Sequence, residues 1–222
     1  MPRYAPAKPT CSRRRCWADV YQPPDFVADA DAAAALIDEF ALAQLIVATP
    51  DGLRATAVPL IRRGASLVGH LARPNRIWQH EGPALAIFTG PQAYVSPNWY
   101  PSKHVDGKVV PTWNYETVQV YGRLIAHDDA TWKHELVSQL TDTFEAGQPR
   151  PWQTTDAPSD YIATALRGIV GIELVDLRIE GKRKLSQNRP VADRGGVIAA
   201  LSDGDPTQRA VAARMTVPDP GA

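Results

Sequence analysis

The chain has few cysteines, no excess of either charge and no long apolar run. Its 222 residues include 2 cysteines, 24 lysines and arginines, and 24 aspartates and glutamates, so the formal net charge is zero. A balanced charge disfavours neutralisation of nucleic-acid phosphates as the main activity, although it leaves room for a local basic patch. The longest nearly uncharged apolar stretch, 40–48, is far shorter than the roughly 20 residues that cross a bilayer. We therefore predict no transmembrane helix and no membrane partner.

The N-terminal stretch offers neither a secretory signal nor a metal site. Arg13–Arg15 precede Cys16-Trp17-Ala18-Asp19, where a signal peptide would need an apolar core. Cys11 and Cys16 have no second Cys/His pair at zinc spacing, and a disulfide is disfavoured in a reducing compartment. We expect a cytoplasmic protein with two free thiols, no metal site, and a disordered extension over residues 1–19.

The rest of the chain alternates between strand-like and helix-like patterns, with no internal repeat and no clear linker. We expect one domain over residues 20–202 and a flexible, polar C-terminal tail over residues 203–222. Helices are predicted at 29–40, 128–144 and 158–167, a short helix after Asn75, and strands at 44–49, 53–58, 66–72, 84–89, 118–126 and 168–180.

One segment suits a phosphate. Gly69–Asn75 runs from a strand into a helix start, and Arg73 and Asn75 stand where a guanidinium and free backbone N–H groups would meet. The alternative is an exposed arginine beside an ordinary asparagine cap. No glycine-rich dinucleotide or P-loop motif accompanies the segment.

Two further segments are rich in binding groups. Tyr94–Tyr100 and Pro111–Tyr115 interleave aromatic rings with Asn, Ser and Thr, which suits a flat heteroaromatic ligand or a dimer interface equally well. Gly181–Asn188 places three cations before Ser, Gln and Asn, so it is either an anion site or a solvated loop. His70 and His104 are isolated, no nucleophile elbow is present, and we predict no catalytic residues.

Taken together, five blocks resemble the PaiB family of FMN-binding, split-barrel negative transcriptional regulators. The blocks are Tyr21–Phe26, Gly69–Asn75, Phe88–Tyr100, Pro111–Tyr115 and Lys184–Asn188. The resemblance implies a mainly β (α+β) fold, a six-stranded antiparallel split β-barrel of Greek-key type with flanking helices. It also implies a homodimer with FMN in the cleft between two protomers.

The resemblance further implies which residues contact FMN. A strand with Thr56, Val58, Pro59 and Leu60 would run along the isoalloxazine, and Ala72, Arg73 and Asn75 would take the phosphate. His70 belongs to the same expected cofactor set. The group expected to close the site, from the same chain or from the partner, consists of Trp113, Asn114, Lys184, Ser186 and Gln187.

The function implied is that of a homodimeric, FMN-binding negative regulator of transcription. Direct DNA contact finds little support in the sequence, because no helix-turn-helix with a basic recognition helix is visible. A flavin-dependent oxidoreductase or NAD(P)H:flavin reductase is the alternative, since a fold does not determine a function. A haem-binding split barrel with His70 as the ligand is the third.

Overall fold

The computed structural model of the protein describes residues 21–215. The predicted disordered extension, with Cys11 and Cys16, lies outside the described residues, as do residues 216–222. Among the described residues, no helix is long and apolar enough to cross a membrane.

A single antiparallel sheet of eight strands dominates the fold, two strands more than the six expected. Seven strands follow one another in the order β3-β2-β6-β7-β8-β5-β4, and β1 pairs with β8. The strands are β1 (Val27–Ala28), β2 (Leu42–Thr49), β3 (Gly52–Pro59), β4 (Ile61–Arg63), β5 (Ser66–Ala72), β6 (Gly82–Val95), β7 (Thr112–His127) and β8 (Ile169–Lys184). The two additional strands, β1 and β4, are two and three residues long, too short to produce an alternating pattern.

The sheet curls into a barrel that stays open along one seam. Its two edge strands, β3 and β4, lie at opposite ends of the strand order, yet only Leu60 separates them in the chain. The sheet must therefore bend until these edges approach one another. At the seam, a Cβ on Gly69 of β5 would lie 2.3 Å from the carbonyl oxygen of Pro59, so only glycine allows the strands to come this close.

The barrel interior is apolar. Alternate residues of each strand point inward, as the two-residue period of a strand requires. The largest buried cluster combines these side chains with α1 and includes Ile37, Leu45, Phe88, Leu124 and Ile172.

Helices cover the barrel and extend one end of it. They are α1 (Ala30–Glu39), α2 (Lys103–Asp106), α3 (Ala130–Glu145), α4 (Ser159–Arg167), α5 (Val191–Ser202) and α6 (Pro206–Arg214). Asp29, Asp129 and Asp205 cap α1, α3 and α6, each accepting a hydrogen bond from a backbone N–H. The predicted helix after Asn75 is a 3₁₀ turn, Arg76–Gln79.

Two expectations were wrong, one about the C-terminal segment and one about where strand β6 ends. Residues 206–214 form α6 instead of a flexible tail, because Val211, Ala212 and Met215 pack in a second apolar core with Tyr100. Strand β6 also continues past Gly90-Pro91, where we expected it to stop. A register shift between Thr89 and Gln92 absorbs the irregularity.

Candidate functional site

A polar cleft opens at the mouth of the barrel, between β3 and the turn that follows β5. The amide Nδ2 of Asn75 donates a hydrogen bond to Oγ1 of Thr56 at 3.0 Å, which ties this turn to the strand. The cleft has a volume of about 290 Å³. Its lining residues are Thr49, Asp51, Arg54, Ala55, Thr56, Asn75, Arg76, Ile77 and His80. Two of the predicted site residues, Thr56 and Asn75, thus lie together.

Two unpaired cations face this cleft. Arg54 and Arg76 are both exposed, and no carboxylate of residues 21–215 lies within ion-pair distance of either. Within the part of the chain that the structure describes, Asp51, in the turn between β2 and β3, is the one carboxylate that lines the cleft. Two guanidinium groups beside an asparagine amide make an anion site suited to a phosphate.

Sequence reasoning missed both arginines. A signal existed for Arg54, because it lies two residues before Thr56 and therefore on the same face of β3. That inward row runs Leu60, Val58, Thr56, Arg54, from the barrel core to its mouth. Arg76 follows Asn75 directly, but nothing in the sequence marked it as unpaired.

The outer edge of β3 offers backbone hydrogen-bonding groups. The Leu60 N–H donates to the Ala41 carbonyl at 2.8 Å, on the side of β2. Because alternate residues of an antiparallel strand direct their backbone groups to opposite edges, Ala55 and Ala57 point theirs away from β2. No strand of the described chain pairs with that edge. It can therefore hydrogen-bond the polar rim of a flat ligand.

The other residues expected on β3 take different positions. The side chains of Val58 and Leu60 are 1% and 0% exposed and belong to the barrel core. They shape the wall without facing the cleft. Pro59 is exposed on the edge strand, where its missing N–H costs no ladder hydrogen bond.

Arg73 is engaged elsewhere, although the sequence singled it out. Its guanidinium forms two hydrogen bonds with the carboxylate of Asp128, at 2.5 and 3.0 Å, and two more with the carbonyls of Arg167 and Ile169. It joins the starts of α3 and β8 to the end of α4. Arg73 does not line the cleft, so its phosphate role stays a prediction without support from these contacts, as does that of the exposed Ala72 beside it.

Asp128 is held in its charged form by this arrangement. Hydrogen bonds from Arg73, and from Lys133 at 2.8 Å, keep the pKa of Asp128 well below its ordinary value. The pair fixes the junction of helices with the barrel wall.

His70 lies on the face of β5 that the helices cover. Leu67 and Leu71 lie on the opposite face of the strand, and their side chains are buried in the barrel interior. Burial lowers the pKa of His70, and its Nδ1 is buried without a hydrogen-bond partner. The structure does not bring His70 into the cleft with Thr56 and Asn75.

The remaining predicted residues gather at the far ends of β7 and β8. Asn114 is fully buried and accepts a hydrogen bond from the Ser186 hydroxyl at 3.1 Å. Lys184 Nζ donates to Thr112 Oγ1 at 2.5 Å and to the Trp113 carbonyl at 2.6 Å. Burial lowers the pKa of Lys184, and the neighbouring cations add to the effect.

This second group is ordered by its own contacts and exposes an aromatic ring. Gln187 accepts from the Leu185 N–H and donates to the Arg183 carbonyl, at 2.6 and 2.5 Å, which closes the loop after β8. Trp113 is 52% exposed, with its ring centroid 6.1 Å from that of Tyr94 in an edge-to-face arrangement.

The two groups of predicted site residues do not meet within one chain. Ala72 pairs with Ile169 at the start of β8, whereas Lys184 ends that strand. At about 3.3 Å per residue, the intervening strand has a contour of about 50 Å. Within one protomer the two groups therefore form separate clusters near opposite ends of β8.

Comparison with known proteins decides the family. A family described as "Putative FMN-binding domain" matches residues 20–176. The chain belongs to this family of FMN-binding domains. FMN is accordingly its cofactor, as expected from the sequence.

Individual relatives support the same placement. PAI 2, the protease synthase and sporulation protein of Bacillus subtilis, is 32% identical over 143 residues, 62% of this chain and 65% of that protein. This match confirms the PaiB resemblance. The uncharacterized protein AN0679 of Emericella nidulans is 36% identical over 130 residues, 54% of this chain and 52% of that protein. The chain thus spans about half to two thirds of the length of these relatives.

A solved structure shows the shared fold. The FAD- and haem-binding protein of Mycobacterium smegmatis superposes with a TM-score of 0.52 at 17% identity, over 72% of this chain and 73% of that chain. The expected split-barrel fold is thus confirmed, although the open antiparallel sheet has eight strands.

The residues at the barrel mouth fit FMN. Arg54 and Arg76 match the charge of its phosphate, and the Asn75 amide adds a donor. The free edge of β3, at Ala55 and Ala57, matches the polar rim of an isoalloxazine ring. FMN as the cofactor was predicted correctly. The phosphate role of Arg73 stays a prediction, and Arg54 and Arg76 are further candidates for the same role.

Proposed function

We propose that the chain works as a cytoplasmic homodimer that binds FMN between two protomers and regulates transcription as a PaiB-type protein. One observation carries the shared site, namely the separation of the two clusters along β8, each of which is then a half-site. Two copies related by a twofold axis would place the Trp113 end of one protomer over the β3 edge of the other.

The exposed apolar surface supports association. Leu53 on β3 is 75% exposed, and beside it a groove of about 420 Å³ crosses the outer face of the sheet. Ile46, Leu85 and Tyr121 line this groove. An apolar surface beside a ligand cleft is typical of an interaction site.

Within the proposed site each group has a distinct role. Arg54, Arg76 and Asn75 bind the phosphate, and the backbone of Ala55 and Ala57 orients the ring along the edge of β3. Trp113 of the second copy excludes water from the ring face. When bound, FMN supplies one- or two-electron redox chemistry.

The regulatory role rests on the PaiB resemblance and the identity to PAI 2. The basic cluster 182–184 gives no support to direct DNA contact, because its side chains are engaged. Arg183 pairs with the buried Glu116 at 2.6 Å, and Lys184 donates to β7. We therefore leave direct DNA contact out of the proposal.

Mixed dimers test the shared site. Arg54→Ala damages the phosphate half-site and Trp113→Ala the covering half-site, so each variant alone should lose affinity for FMN. Random mixing after unfolding and refolding should restore about a quarter of the sites, because half of the dimers then carry one intact site. If the two variants exchange subunits and FMN binding is still not restored, the shared site is refuted. Light scattering that reports a monomer would also refute it.

The spectrum separates regulator from enzyme. The purified protein should show flavin absorbance, and anaerobic NADH or NADPH should not bleach it on a catalytic timescale. Rapid bleaching would favour the oxidoreductase, and a haem Soret band would favour the His70 alternative.

A further inference from the structure

A second groove adjoins the cleft at Arg76. It has a volume of about 770 Å³, within the range of ligand pockets. Its lining residues are Arg73, Pro74, Arg76, Trp78, Gln79 and Gly168. Arg76 lines both this groove and the cleft proposed for the FMN phosphate, so the two spaces share a wall.

The chemistry of this groove suits a nucleotide. Arg76 supplies a cation with no ion-pair partner in residues 21–215, while the guanidinium of Arg73 pairs with the carboxylate of Asp128. No carboxylate is among its lining residues. The half-buried indole of Trp78 is held in place by its N–H, which donates to the Arg73 carbonyl at 3.1 Å. Trp78 packs partly against the barrel core, and the part of its ring that lines the groove offers a stacking surface to a purine, whose edge the exposed Gln79 can hydrogen-bond.

We propose that this groove is an adenylate subsite, so that the protein also binds a flavin whose phosphate carries a second nucleotide, as in FAD. The proposal rests on the placement of the FMN phosphate beside Arg54 and Arg76. The FMN phosphate and the diphosphate of FAD both carry about two negative charges at neutral pH, so these two arginines would balance either group. The adenine would then stack on Trp78 in the adjoining groove.

The affinities of apo protein for FMN and FAD test the proposal, with flavin fluorescence as the readout. We expect FAD to bind about tenfold more tightly than FMN, since it adds one base stacked on an aromatic ring. If FMN binds and FAD does not, the subsite is refuted while the proposed function stands. If neither flavin binds, the proposed function itself fails.

A variant locates the subsite. Gln79→Trp should fill the groove from an exposed position, weaken FAD binding at least tenfold and leave FMN binding unchanged. Ser202→Trp, an exposed substitution at the end of α5, is the matched control and should change neither affinity. An equal loss of both flavins, or of neither, would refute this location. If Gln79→Trp fails to fold, Gln79→Leu provides the test by removing the hydrogen bond to the adenine edge, and it should weaken the binding of FAD while the binding of FMN is unchanged.

Discussion

Replacing Arg54 and Arg73 separately distinguishes a ligand contact from a structural one. Both arginines lie near the mouth of the barrel, and the sequence favoured Arg73. In the structure Arg54 is unpaired at the cleft, whereas Arg73 forms four hydrogen bonds with Asp128 and two carbonyls. The two alanine variants should therefore fail in different ways.

Arg54→Ala should weaken FMN binding and spare the fold. A hydrogen bond to a charged group is worth about 1.5–3 kcal/mol, and about 1.4 kcal/mol is tenfold in affinity. The loss should therefore be about 10- to 100-fold for FMN, with little change for riboflavin, which has no phosphate. Arg54→Lys should recover part of the loss, because a point charge replaces a bidentate fork.

Arg73→Ala should show the opposite pattern. It removes the link between α3, α4 and β8, so the melting temperature of the apo protein should fall while FMN affinity stays close to that of the wild type. Fluorescence titration and differential scanning calorimetry on the same samples measure both quantities. A large loss of FMN affinity in Arg73→Ala, with Arg54→Ala unaffected, would refute the assignment made here.

Three further predictions concern the barrel and its charges. Gly69→Ala should lower the free energy of unfolding by at least about 1–3 kcal/mol in urea titrations, because its methyl group would clash with the Pro59 carbonyl oxygen. An unchanged free energy of unfolding would contradict the close approach of β3 and β5. Glu116→Ala should destabilise the fold by about 1–3 kcal/mol in the same titrations, because it removes a buried carboxylate that pairs with Arg183 at 2.6 Å and with Arg214 at 2.8 Å, while Arg214 keeps Glu39 as a partner. Asp128→Asn should be less stable than the wild type at neutral pH. Because folding lowers the pKa of Asp128, the difference in free energy of unfolding between the wild type and this variant should narrow as the pH falls below about 4. A difference that does not depend on pH would contradict the ion pair.

The sequence predicted most of the regular elements and only part of the site. Helices α1, α3 and α4 were recognisable because caps and apolar spacing agree, as at Asp29 and Asp129. Strands β1 and β4 are too short to show a period, and α6 was missed because its mean composition is polar while only Val211, Ala212 and Met215 are buried.

The sequence could not show that Arg73 is paired while Arg54 lines the cleft, and the reason is physical. A free arginine and a paired one look alike in sequence, and the partner of Arg73, Asp128, lies 55 residues away. The predicted helix start after Asn75 is the 3₁₀ turn that borders the cleft. Which cation faces the cleft depends on long-range pairing, and no local pattern encodes that pairing.

Because the edge of β3 is unpaired in the described chain, the tendency of the protein to aggregate should depend on the supply of riboflavin, the precursor of FMN. An open strand edge is a template for pairing with other chains, and natural proteins normally cover it. In the proposed site, FMN bound along Ala55 and Ala57 would cover this edge, and Arg54 and Pro59 on the same strand would also hinder its pairing with another chain. Protein synthesised in riboflavin-starved cells should therefore aggregate or be degraded. A shortage of the cofactor would then lower the amount of folded protein as well as its activity.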